Sequence, residues 1–123
     1  MRFMVMIKAS EQVGPPPAEL MDAMNKRMSE LMGSGVMVDA GGLMPSQAGA
    51  RVRLSGGRVA MIDGPFTEAK ELVGGYSIIQ VSSRQEAIDL TTEVIQIHKD
   101  HWPGWEGEAE LRQLGDAPPE LAG

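Results

Sequence analysis

Two segments of this chain repeat apolar side chains at the helical interval, and each lies between runs that alternate with period two. Pro15, Pro16 and Pro17 open the first, at positions where a missing N–H costs nothing. It runs to about Met32, with Leu20, Met21, Met24, Met28, Leu31 and Met32 as its stripe, and Gly33 and Gly35 end it. Ser82 or Ser83 caps the second, and Glu86 is placed to complete a capping box. Its stripe is Ala87, Leu90, Thr91, Val94, Ile97 and His98, and Pro103-Gly104 stops it near Trp102.

The strands fall around these helices. Residues 2–9 set Phe3, Val5 and Ile7 against Met4, Met6 and Lys8, so both faces are largely apolar and the strand is central. Val36–Ala40, Tyr76–Val81 and Glu108–Leu114 read as further strands. Residues 51–63 form a hairpin about Gly56-Gly57, pairing Leu54 with Val59, Val52 with Met61, Arg53 with Ala60 and Arg51 with Ile62. With the hairpin removed, the order is β-α-β-β-α-β, an α+β chain of ferredoxin-like plan carrying an inserted β-hairpin. Helices would cover one sheet face. The other is also apolar in places, and a second copy of the chain is the economical cover, so a homodimer is expected.

A length of 123 residues suits one domain with a core of its own, here residues 1–114, with residues 115–123 as a loose tail. The absence of cysteine excludes disulfides, a thiolate zinc site and a cysteine nucleophile, and it suits a cytoplasmic setting. Seventeen acidic against 11 basic residues give a formal net charge of −6, so neither nucleic acid nor an anionic membrane is an expected partner. The apolar N-terminal run is interrupted by Lys8, so it is no membrane span or signal peptide. Walker loop, dinucleotide fingerprint and nucleophile elbow are all missing, and no cofactor is expected.

The chemistry-bearing residues admit two readings each. Asp63 begins an Asp-Gly-Pro turn at the end of its strand, in phase with Val59 and Met61, on the face expected to point inward. It either accepts turn N–H groups, or serves as a general base at the rim of an apolar cleft. Glu68 and Lys70 either line the same opening or are surface charges. His98 and His101 are the chain's two histidines. A packing role at the end of the helix is the plainer expectation for His98, and acid–base work with Asp63 the sharper one. Their spacing is a weak metal signal, and no metal is expected. Trp102 and Trp105 bracket Pro103-Gly104 and would stack on a ligand, close a pocket or seal a dimer. Arg51 and Arg53 share a hairpin face, suited to an anionic ligand, to intersubunit ion pairs or to solvent.

Asp63-Gly64-Pro65-Phe66, followed by Glu68, Lys70, Glu71 and Gly74-Gly75, resembles the DGPF branch of the YCII-related proteins. The opening Met1–Lys8, the Ala40-Gly41-Gly42-Leu43 turn and the ending Gly107–Arg112 support the likeness. The resemblance implies a dimeric α-β barrel, with two ferredoxin-like sheets packed face to face and clefts near the interface. The wider group includes a dehydrochlorinase-type enzyme, and a His–Asp pair is associated with its acid–base work. The histidine of that pattern lies in the first helix, where this chain has Met24 and no histidine. Similar proteins found alongside alternative sigma factors imply a regulatory reading.

The expectation is therefore a small-molecule protein with lyase- or isomerase-like acid–base activity, using Asp63 and His98, with Lys70, Trp102 and Arg53 binding substrate. The alternative is a non-catalytic regulatory or binding module.

Overall fold

Phe3 and Val5 are buried on one face of the first strand, and the rest of the domain is arranged around them. The structure, a computed structural model, describes residues 1–115. In order these form β1 (Arg2–Ala9), α1 (Ala18–Gly33), β2 (Met37–Gly42), β3 (Ala50–Ser55), β4 (Arg58–Asp63), β5 (Leu72–Gln80), α2 (Arg84–His101) and β6 (Gly107–Gln113). Single 3₁₀ turns sit at Glu11–Val13 and Ser46–Ala48. The tail expected over residues 115–123 lies, apart from Gly115, outside the described residues.

The main sheet is antiparallel in the order β2-β5-β1-β6. This is the order of a ferredoxin-like β-α-β-β-α-β unit, and the hairpin β3-β4 stands as a separate two-stranded sheet. Phe3 lies opposite Ile79 and Val5 opposite Leu111, so these side chains share a face with Ile7. Ala87 of α2 is fully buried against that face with Val81, and Leu90 packs beside it. The α2 stripe falls as expected, with Ala87, Thr91 and His98 buried. On α1 the buried line is Leu20 and Leu31, while Met21 and Met32 lie on its exposed flank. Met24 and Met28 are half-buried, so the expected stripe holds except at Met21 and Met32, and beside it Arg27 donates two hydrogen bonds to Glu93 of α2 at 2.9 and 3.1 Å.

Ser83 caps α2 by accepting from the Glu86 N–H at 3.1 Å. Glu86 reaches back one residue further than a capping box requires, accepting from the N–H and the hydroxyl of Ser82 at 3.0 and 2.6 Å. Those bonds, the Ser82 hydroxyl foremost, hold its carboxyl below the ordinary carboxylate range.

Opposite the helices, the sheet presents Met4, Met6, Ile78 and Tyr76 as a half-buried apolar strip. A charged row on the edge strand β6 borders it. Lys8 meets Glu110 at 2.8 Å and Glu108 at 3.7 Å, and Arg112 meets Glu110 at 3.4 Å. The bond to Glu110 raises the Lys8 ammonium above its ordinary value and lowers the Glu110 carboxyl.

Candidate functional site

The hairpin register is the one read from the sequence: Leu54 faces Val59, Val52 faces Met61, and Ala50 faces Asp63. The placement of its faces differs from the expectation. Val52, Leu54, Val59 and Met61 are between 61 and 74 % exposed, and Asp63, in phase with them, is exposed as well. The hairpin hydrogen-bonds to no strand of the main sheet, and it leans on the body with the opposite side of its base. There the Arg51 guanidinium lies 3.8 Å from the centre of the Phe66 ring and forms an ion pair with Glu68. A Glu68 backbone N–H, followed by the Arg51 bond, pulls the Glu68 carboxyl below its ordinary value. Within one chain, then, Asp63 does not point inward. Among the described residues its carboxylate makes no hydrogen bond or ion pair, so it is not the N–H acceptor of a capped turn either.

The rest of the Asp-Gly-Pro-Phe segment is firmly held. The Gly64 N–H donates to the Gly49 carbonyl at 2.9 Å. A Cβ at Gly64 would collide with the Ser46 carbonyl oxygen, so only glycine passes that point. The Phe66 N–H donates to Ser46 Oγ at 2.9 Å, and Ser46 Oγ in turn donates to Glu11 Oε2 at 2.7 Å. Glu11 also accepts the Ser46 N–H. Ser46 is buried, so one hydroxyl ties together the turn after β1, the loop after β2 and the loop after β4. Sequence reasoning missed Glu11 and Ser46. The two are 35 residues apart, and only the fold brings them together.

Beside this latch is an open cleft of about 450 Å³, largely apolar, walled by Leu43, Met44, Phe66, Leu72 and Val73, with Glu11 and Ser46 as its polar edge. A second cleft, of about 530 Å³, has mixed walls that include Val13 as well as Ser10, Lys70, Glu71, Glu106 and Glu108. Lys70 thus lines an opening, but a different one from that beside the Asp-Gly-Pro-Phe loop.

His98, 7 % exposed, belongs to neither cleft. Its Nδ1 lies 2.9 Å from the Val94 carbonyl oxygen, which can only accept, so Nδ1 carries a hydrogen. The Trp105 ring tilts over it, with centroids 4.6 Å apart, and Trp102 lies 6.2 Å from Trp105. The Trp-Pro-Gly-Trp turn therefore folds back on the end of α2 and covers His98. Gly107 makes room for this, since a Cβ there would strike the Trp105 ring and meet the Lys8 carbonyl at 2.6 Å. Arg53 is exposed, and among the described residues it has no ion-pair partner. Neither cleft is lined by Asp63, His98, Trp102 or Arg53. Among the described residues no three His, Cys, Asp or Glu side chains are grouped to hold a metal ion.

The YCII-related domain model matches residues 1–101. The chain belongs to the YCII-related family. An uncharacterised protein of Rhizobium meliloti (strain 1021) is 38 % identical over 52 residues, which are 42 % of this chain and 42 % of that protein. The chain thus spans under half the length of the curated relative it matches. For this YCII-related chain no described helix is long and apolar enough to cross a membrane.

Proposed function

We propose that this protein, a member of the DGPF branch, works as a homodimer that binds a small, largely apolar molecule in the cleft beside the Asp-Gly-Pro-Phe loop. The cleft itself carries the reading. Its volume of about 450 Å³ falls in the range of ligand pockets, and its walls are mainly apolar with two convergent polar groups. The Glu11 carboxylate favours a neutral or cationic ligand over an anion. The strip of Met4, Met6, Ile78 and Tyr76, bordered by charges, supports pairing of two sheets face to face. A cytoplasmic setting suits a chain without cysteine.

In its catalytic form, Asp63, which does not line the cleft within one chain, is the general base of a lyase- or isomerase-like reaction once a second copy or the ligand itself brings the bound molecule within its reach. Its carboxylate stands next to the latched loop and has no structural partner among the described residues. His98, Lys70, Trp102 and Arg53 would act only if the second copy or the ligand draws them toward that cleft.

A second reading, binding without turnover in a regulatory role such as sigma-factor-dependent transcription, is favoured by one observation. His98 is packed between Val94 and Trp105, away from both clefts, so Asp63 has no acid–base partner within one chain.

Ligand-observed NMR with a library of small apolar amines and neutral fragments tests the site. Binders should be lost in Leu43→Arg, which puts a cation at the half-exposed wall of the cleft. Fragments that bind this variant as well as the original chain would rule the cleft out. Once a ligand is known, turnover that disappears in Asp63→Asn separates the catalytic form from the regulatory one.

A further inference from the structure

The β3-β4 hairpin leaves a surface that one chain cannot satisfy. A two-stranded ribbon in water is marginal by itself. Here its four apolar side chains, Val52, Leu54, Val59 and Met61, face solvent together, on the order of 400 Å² of apolar surface and near the largest patch an ordinary monomer carries. The base of the other face is attached through Arg51, Phe66 and Glu68.

The hairpin is also charged unlike the rest of the chain. Residues 50–62 hold Arg51, Arg53 and Arg58 and no acid. The remaining residues, with eight basic and 17 acidic side chains, therefore carry a formal −9. Arg51 is occupied by Glu68, whereas Arg53 and Arg58 are exposed and form no ion pair among the described residues. An apolar, cationic ribbon and a strongly acidic body complement each other between two copies of one chain.

We infer that the hairpin is an interface arm, and that its Val52, Leu54, Val59 and Met61 face packs on a second copy of this chain. The inference rests on the homodimer proposed above and adds to it. Two arms supply on the order of 800 Å², half of what a standard stable interface buries, and the strip of Met4, Met6, Ile78 and Tyr76 is available to supply the remainder. Asp63, at the root of the arm on the same face, would then stand at the edge of the interface.

Sedimentation equilibrium on the full chain and two variants tests the arm. Leu54→Asp with Val59→Asp alters only side chains that are exposed in the single chain, so the far-UV circular dichroism should not change. The dimer dissociation constant should rise at least about tenfold, as expected when an apolar interface centre is charged. Reversal of the free cations, Arg53→Glu with Arg58→Glu, leaves the apolar face intact and should also weaken the dimer. The chain has no cysteine, so Ser55→Cys at the arm tip takes a single nitroxide. Mixed with isotope-labelled chain, the nitroxide should broaden lines of the other copy. A dimer that Met6→Lys dissociates, but that both arm variants leave intact and whose lines the nitroxide leaves sharp, overturns the arm and keeps the sheet-face dimer. A wild-type chain that is monomeric at micromolar concentration overturns both.

Discussion

Gly64→Ala puts a methyl group where the Ser46 carbonyl oxygen already is. No side-chain rotation relieves that overlap, because the obstacle is backbone. The loop after β4 or the loop after β2 must move, and either movement opens the latch. Three of the four bonds described above are counted as lost, with Ser46 N–H keeping Glu11: Gly64 N–H to Gly49, Phe66 N–H to Ser46 Oγ, and Ser46 Oγ to the Glu11 carboxylate. With about 1 kcal/mol for each neutral bond and about 2 for the one to a charged group, the loss is ~3–5 kcal/mol, allowing for some exposure cost at Ser46. At this chain length that corresponds to a melting temperature lower by roughly 10–20 °C.

The core of Phe3, Val5, Ile79, Val81 and Ala87 is unaffected, so the variant should keep the wild-type circular dichroism spectrum at low temperature. Urea unfolding measures the loss, and hydrogen exchange locates it: protection of the Phe66 amide should fall far more than that of β1 amides. Gly74→Ala is the control, since a Cβ there meets nothing within 4 Å, and its stability should stay within about 1 kcal/mol of wild type. A Gly64→Ala protein that loses less than about 1 kcal/mol, or that keeps Phe66 protected, would falsify the latch.

Three other changes have definite outcomes. The Glu86 carboxyl is held below its ordinary value by Ser82, so its contribution is full above pH 4.5 and is lost as the pH falls through the lower folded-state value; Glu86→Gln should flatten the stability profile below pH 4.5, and a profile as steep as wild type would exclude the cap. Gly107→Ala should drive Trp105 off His98, seen as loss of the ring-current shift on the His98 ring protons; an unshifted spectrum would mean the turn has another anchor. Asp63→Asn should leave urea stability within about 0.5 kcal/mol, as for a surface side chain without partners, and a larger loss would reveal a structural role for the carboxylate.

Much of the fold was legible because its signals are local. Two helical stripes and the period-two strands fixed element type and order, and the Gly56-Gly57 turn fixed the hairpin register to the residue. Periodicity states which side chains share a face, but not what that face meets. Asp63 was correctly phased with Val59 and Met61, and that face turned out to be exposed, because the hairpin pairs only with itself. The helices end within a residue or so of expectation and α1 begins at Ala18, just after the proline run, whereas β5 begins at Leu72 rather than Tyr76, because Gly74-Gly75, expected to precede the strand, lies within it. The Glu11–Ser46–Phe66 latch had no local signal at all. Its three members lie on separate loops, and nothing in the spacing of a glutamate, a serine and a backbone amide distinguishes them from any others.

The latch changes what the Asp-Gly-Pro-Phe segment says about chemistry. Gly64 is required by the Ser46 carbonyl, the Phe66 backbone by the Ser46 hydroxyl, the Phe66 ring by Arg51, and Glu68 by Arg51 as well. Each of these has a sufficient structural reason, so their presence is no argument for a reaction. Asp63 is the exception. It sits at the end of β4 without a partner among the described residues, although the backbone just beyond it is pinned at Gly64 and Phe66. A carboxylate fixed at its root and without a partner among the described residues costs little to keep in water, and under the proposed function it is the group that meets a ligand or a second copy. Of the side chains in the segment, Asp63 is therefore the one whose substitution bears on the proposed chemistry rather than on the latch.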